Sequence, residues 1–290
     1  MGWSDPALDR AVHAGKVLRL RRDQYTAAPA DARLEAIAAA RGCSGSVVSH
    51  RSAALLHGLP LVGAQPVVPD VTVQPRRTGD LQSAHLCRAT MRPEEVVTVD
   101  GVPVTSIART IIDLGRHRPM ATMVAAADFA LHHELTSMDE LREVLAACRG
   151  WPGAKRAVRA LDKVDPLAES PLESISRLAF GWLQLPAPKP QRWIYDQRGV
   201  FIGRCDFYWD EYGVAGEADG AAKLQGRDDL LAEKKRQDAL ERLHLVVVRW
   251  NWDDVIRTPR LLAVRIRDSF SDGVRRDAIG FPRLWSVRDR

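Results

Sequence analysis

A chain of 290 residues with an average apolar share, 46%, is long enough for one large domain or for two ordinary ones with separate cores. It contains no run of about 18 or more apolar residues, and its first residues, MGWSDPALDRAVHAG, lack the basic-then-apolar order of a signal peptide. This argues against a membrane-spanning or exported chain and makes the cytoplasm the expected location. The net charge of +5 is compatible with a polyanionic partner, while the four cysteines and eight histidines are scattered without C-x-x-C or one-turn histidine spacing, which argues against zinc and redox chemistry.

In chain order, PALDRAVHAG predicts a short helix ended by Gly15, and KVLRLRRDQYTA alternates as a basic hairpin. DARLEAIAAARG predicts an alanine-rich helix closed by Gly42. SHRSAALLHGLP predicts a helix with Ser49 as N-cap, Leu55 and Leu56 inward, and Gly58-Leu59-Pro60 as its stop. Helices beside a basic hairpin give residues 1–60 the pattern of a winged helix. Residues 61–165 read as an α+β extension: VVPDVTVQP, AHLCRATM and EVVTVDGVPVTS are short strands, the last folded over an Asp100-Gly101 hairpin turn. Helices follow in SIARTIIDLGR, PMATMVAAADFALHH and SMDELREVLAACRG, then a basic linker helix carrying Lys155, Arg156, Arg159 and Lys163.

Asp165-Pro166 and Ser170-Pro171 punctuate the chain and set a domain boundary near 165. Beyond it, PLESISRLAFGWLQLP predicts a helix with Leu172, Ile175, Leu178, Ala179 and Trp182 on one face. PQRWIYD, VFIGRCDFYW and GVAGEADG read as strands, RDDLLAEKKRQDALERLH as a helix, LVVVRW as a buried strand, and a last helix begins near Asp253. The second domain, 166–290, is therefore expected as α-β-β-β-α-β with a C-terminal helix, a mixed sheet between helices. The terminal RRDAIGFPRLWSVRDR gives no clear prediction.

Within this domain RCDFYWDEYGVAGEADG places three acids on two strands of one hairpin. Glu217 and Asp219, two apart, share a face. With the loop centred on Glu211 and Tyr212, Asp206 stands opposite Glu217; one whole residue further along, it stands opposite Asp219. Like charges so placed repel unless a cation lies between them, and a hard divalent ion such as Mg2+ suits two carboxylates. The alternative is that the acids face solvent or pair with Arg192, Arg204 or Arg249. Glu173 lies at the start of the preceding helix, and Arg236 falls within the apolar arc of the helix spanning 227–243, where it needs an acidic or phosphate partner.

The order Glu173, Asp206, Glu217-x-Asp219 on this succession of elements resembles the PD-(D/E)XK, restriction-endonuclease-like nucleases. ESPLES, IGRCDFYW, GEADG, EKKRQDALERL and VVVRWNWDD look more closely like nuclease domains related to very-short-patch-repair endonucleases, over roughly residues 166–256. RLRRDQY, SHRSAALLHGLP and VTSIARTIIDL look like the AbiEi-type antitoxin or regulator module, a winged helix with an appended domain, over most of 1–120.

The resemblance implies a Mg2+- or Mn2+-dependent DNA endonuclease or nickase. Asp206 and Glu217 would be its metal ligands and Glu173 a supporting acid, with Asp219 at the position where many such nucleases carry lysine. Lys223 or Lys234 would stand in for that lysine, and Arg236 would hold a phosphate or the acids. The winged-helix resemblance implies DNA contacts by Arg19, Arg21 and Arg22 on phosphates and by Ser49, His50 and Arg51 at the helix entering a groove. The missing lysine keeps a second reading open, a non-catalytic DNA-binding regulator or antitoxin with a cognate toxin. A homodimer is left open as well.

Overall fold

A computed structural model describes the chain apart from residues 1–4, 22, 28, 75–83, 221–239, 241, 242, 244, 279–282 and 290. It divides into two compact units, Met1–Val164 and Asp165–Arg290. Both combine helices with mixed sheets, so the chain is of the α/β class. No helix among the described residues is long and apolar enough to cross a membrane.

In the first unit, helix α1 (Asp5–His13) leads into the antiparallel hairpin of β1 (Leu18–Arg21) and β2 (Gln24–Thr26). Helix α2 (Ala32–Gly42) begins where Asp31 accepts a hydrogen bond from the N–H of Leu34 at 2.7 Å. Strand β3 (Val47–Val48) and helix α3 (His50–Leu56) follow. Strands β4 (Asp70–Val73), β5 (His85–Arg88), β6 (Val96–Val99) and β7 (Val102–Thr105) join β3 in a mixed sheet of order β5-β4-β3-β7-β6. The predicted Asp100-Gly101 turn is present: both residues have positive φ, 50° and 72°, as a two-residue hairpin turn requires, and Val99 pairs with Val102.

Ala36, Ala40, Val48, Ala53 and Leu56 pack with Val102 and Val104 in one core. The segments read from sequence as a separate 1–60 module and its extension thus fill a common interior. Helices α4 (Ile107–His117), α5 (Met120–His132), α6 (Met138–Ala147) and α7 (Ala154–Leu161) complete the unit. Helix α4 is buried on nearly all sides, and its charges are compensated internally. Arg109 Nη1 donates to Glu95 at 2.9 Å and Nε to Asp113 at 2.9 Å, while Arg116 Nη1 donates to Asp113 at 2.7 Å.

The second unit opens with helix α8 (Pro171–Trp182) and continues through strands β8 (Lys189–Asp196), β9 (Phe201–Trp209), β10 (Val214–Ala218) and β11 (Val246–Trp250). Helices α9 (Trp252–Ile256) and α10 (Pro259–Ala278) and strand β12 (Trp285–Arg288) follow. The sheet order is β11-β10-β9-β8-β12, with only the β10–β11 pair parallel. Strand β12, pairing antiparallel with β8, was not legible in the sequence.

One sheet face packs on α8 through Phe180, Phe207 and Trp250, whose rings lie 5.4–5.6 Å apart. Trp250 Nε1 donates to Ser176 Oγ at 2.8 Å, which satisfies a buried N–H. Gly216 leaves room for two indoles, since a Cβ there would lie 2.6 Å from Trp250 and 2.9 Å from Trp209. A second cluster joins Ile194, Cys205, Tyr208 and Ala215 to Leu240, Leu243 and Leu245. Of the apolar face expected on α8, Leu172, Ile175, Leu178 and Ala179 are buried, but Trp182 is 66% exposed because the helix ends there.

Candidate functional site

Strands β9 and β10 pair Trp209 with Val214, Tyr208 with Ala215 and Phe207 with Gly216. This is the first of the two registers read from sequence. The ladder stops one step short of Asp206 and Glu217, and Asp206 Oδ2 instead accepts the N–H of Ala218 at 2.8 Å. Glu217 is buried and stands opposite Arg249 in the parallel β10–β11 ladder, where Arg249 Nη2 meets its Oε2 at 2.7 Å. Asp219 lies just past β10 with its side chain on the exposed surface, its N–H donating to the carbonyl of Trp250 at 2.8 Å. Asp206, Glu217 and Glu173 are therefore the acids that act on one another.

Glu173 is placed by the start of α8. Ser170 is the N-cap and accepts the N–H of Glu173 at 3.2 Å, and Pro171 occupies the first turn. The carboxylate turns back, accepting Ser170 Oγ at 2.7 Å and the N–H of Glu169 at 3.0 Å. Its third donor is Gln191 Nε2 at 2.7 Å.

Gln191 breaks a local rule. With φ of 51° it sits in the left-handed region that non-glycine residues seldom adopt, and it interrupts the β8–β9 ladder between Pro190–Phe207 and Arg192–Cys205. It is 5% exposed, and its Oε1 has no hydrogen-bond partner among the described residues. No periodicity signalled this residue. Its place directly across from Asp206 in the β8–β9 register was the only available clue.

Burial pushes the Asp206 carboxyl up to about 7; Glu173 and, more weakly, Glu217 raise it further, against the Ala218 N–H and Arg204. The neighbouring Cys205 thiol is pushed up to about 12, again chiefly by burial. Of the arginines weighed as alternative partners for the acids, Arg249 pairs with Glu217, Arg204 with Glu169, and Arg192 with Asp289. Among the described residues, neither Asp206 nor Glu173 has an ion-pair partner.

A hydrated hard cation takes one or two carboxylates and keeps most of its waters, so Asp206 and Glu217 are the residues that would hold one. They would not form a closed cage: among the described residues, no three His, Cys, Asp or Glu side chains converge as a ligand set. Lys223, Lys234 and Arg236 lie outside the described residues, as does most of the helix expected over 227–243.

The residues expected to touch nucleic acid fare unequally. Arg19 is exposed on β1 and lies 6.0 Å from the Tyr25 ring; Arg21 is largely covered and meets Glu35 at 3.5 Å; Arg22 lies outside the described residues. Ser49 and His50 are 0% and 3% exposed, which corrects the expectation that their side chains face outward. Ser49 occupies the N-cap position of α3 but makes no side-chain cap bond; its hydroxyl instead bonds His50 Nδ1 at 2.9 Å and Thr72 Oγ1 at 2.8 Å.

Asp70, from β4, accepts both the N–H and Nε of Arg51, at 3.3 and 3.1 Å, so it takes over the capping role. Burial pulls the His50 imidazole down to about 4 and keeps it neutral. The sequence pattern showed both the helix and the strand VVPDVTVQP, but not that this strand covers the start of the helix.

No family model matches the chain. It is 32% identical over 168 residues to two proteins of Mycobacterium tuberculosis, Uncharacterized protein MT2308 (strain CDC 1551 / Oshkosh) and Uncharacterized protein Rv2248 (strain ATCC 25618 / H37Rv). Each alignment covers 58% of this chain and 62% of the relative, so the chain spans less than two thirds of the curated relatives it matches. Among solved structures it is similar to the RV2827C protein from Mycobacterium tuberculosis, with TM-score 0.40 and 18% identity over 56% of this chain and 66% of that one.

Proposed function

We propose that the unit 165–290 is a restriction-endonuclease-like, metal-dependent phosphodiesterase that cuts or nicks DNA, carried to its substrate by the N-terminal winged-helix-like unit. The observation that carries this reading is the cluster of buried Glu173 and Gln191 with half-buried Asp206. Among the described residues its two carboxyls have no ion-pair partner, one of them is raised to about 7, and the Gln191 amide oxygen has no hydrogen bond.

Asp206 and Glu217 would hold Mg2+ or Mn2+, with Gln191 Oε1 near them. When bound, the ion supplies charge for a phosphate oxygen and lowers the pKa of a water. The Ala218 N–H fixes the Asp206 carboxylate, Arg249 fixes that of Glu217, and Glu173 orients Gln191 through the amide hydrogen bond. Lys223 or Lys234 would stabilise developing negative charge, and Arg236 would hold a phosphate; these roles come from the resemblance alone. Arg19 and Arg22 would contact backbone phosphates, while Arg21, largely covered and meeting Glu35, would not.

A second reading is a non-catalytic DNA-binding regulator or antitoxin with a cognate toxin. It is favoured by the pairing of Glu217 with Arg249 and by Asp219 where many relatives of the fold carry lysine. Plasmid incubated with Mg2+ or Mn2+ separates the two. Nicking or linearisation by the wild type and its loss in Asp206→Ala supports the hydrolase. Salt-sensitive DNA binding with no cleavage by either protein supports the regulator, and absence of DNA binding at low salt overturns both.

A further inference from the structure

We propose that Trp193, Tyr195 and Phe201 form a base-stacking platform for a single-stranded nucleic-acid segment entering the site around Asp206, a proposal that rests on the phosphodiesterase reading and names its substrate class. The rings lie on the β8–β9 hairpin: Tyr195 pairs with Phe201, and Trp193 with Arg204. Their centroids are 5.5 Å (Trp193–Phe201), 5.6 Å (Tyr195–Phe201) and 6.4 Å (Trp193–Tyr195) apart, at mutual tilts of 42–65°. Phe201 is 52% exposed and its neighbour Val200 55%, while Trp193 and Tyr195 are half-buried. Three clustered aromatics on an open strand surface mark a binding face more than a core.

The rings share a face with the acids. Trp193, directly across from Arg204, projects to the same side as it. Arg204 reaches Glu169, whose N–H donates to Glu173, and Glu173 in turn holds Gln191, across from Asp206. Arg204 and Asp206 are two positions apart on β9, about 7 Å at the rise of a strand. That is close to one nucleotide step of an extended strand, so a phosphate near Asp206 would leave the adjoining bases over Trp193 and Phe201.

Charge at this surface suits a polyanion. Arg288, across from Trp193 on β12, sits 4.7 Å from the Tyr195 ring, and Arg198 is exposed at the hairpin tip. The tip is held in shape by Asp196, whose Oδ1 accepts the N–H groups of Arg198 and Val200, both at 2.8 Å. Paired bases in a duplex hide their faces, whereas rings tilted against one another accept splayed, unpaired bases.

The test uses the full chain in EDTA, with fluorescence anisotropy of a labelled oligothymidine single strand and of a duplex of equal length. Phe201→Ala and Trp193→Ala are expected to weaken single-strand binding by about 5- to 150-fold each and to leave duplex binding nearly unchanged. Phe201→Trp should restore the loss, which a merely structural defect would not allow. Unchanged single-strand affinity in both alanine variants overturns the platform, as does an equal loss on single strand and duplex. A cleavage arm with Mn2+ separates this inference from the reading beneath it. Wild-type cleavage that the alanine variants retain in full on single strands overturns the platform alone. Ring-dependent single-strand binding without wild-type cleavage supports the platform and removes the hydrolase.

Discussion

Replacing Asp206 with Asn tests whether the cluster around Glu173 stores unfavourable charge. The side chain keeps an oxygen to accept the Ala218 N–H but cannot ionise. In the metal-free protein the Asp206 carboxyl lies near 7, against an ordinary 3.8, through burial and the nearby Glu173. Between these two values the folded chain binds the extra proton and the unfolded chain does not, so stability falls as pH rises from about 4 to about 7 and then levels off. The full displacement corresponds to about 4 kcal/mol. At pH 8 Asp206→Asn should therefore be the more stable protein, with a rise in Tm on the order of 10 °C, and the advantage should vanish near pH 4. Thermal unfolding in EDTA across pH 4 to 8.5, read as the difference between variant and wild type, removes the contribution of titrating groups that are not coupled to Asp206. Parallel Tm–pH profiles for the two proteins would refute the reasoning.

Two further predictions concern the frameworks of the units. Gly216→Ala drives a methyl against the Trp250 and Trp209 rings, at 2.6 and 2.9 Å before any adjustment, and should cost about 1–3 kcal/mol in urea unfolding. Arg109→Met leaves Glu95 with the half-exposed Arg92 and Asp113 with Arg116, and removes the buried guanidinium that links the two acids, so it should cost about 3–5 kcal/mol by the same measurement. A loss below 1 kcal/mol would show that the two acids are neutralised by other means.

Much of the local structure was legible because it rests on residues that leave few choices. Asp100-Gly101 turned as two residues that tolerate positive φ must, and the hairpin loop at 210–213 narrowed the register to two, of which the structure takes the one that brings Asp206 to the end of β10. Other features depend on what packs across the chain, and no period carries that information. The burial of Ser49 and His50 comes from β4, whose Asp70 caps α3 from outside the helix. Strand β12 exists because β8 has an edge to pair with. Gln191 carries no turn signal, and its left-handed backbone is tolerated because Glu173 binds its amide.

The two units handle buried charge in opposite ways, and the contrast gives the candidate site its weight. Around α4, each interior acid is answered: Asp113 by Arg109 and Arg116, and Glu95 by Arg109. Such a network is what a structural role requires, because an unanswered buried charge destabilises by several kcal/mol. At the start of α8 the chain does otherwise. Among the described residues, Glu173 and Asp206 have no ion-pair partner, Asp206 is held near 7, and the Gln191 amide oxygen lacks a donor. Arg204, on the same strand as Asp206, is committed to Glu169 by two hydrogen bonds. Among the described residues, the first unit answers its interior acids while the second leaves Glu173 and Asp206 without an ion pair, and groups so perturbed cluster at functional sites.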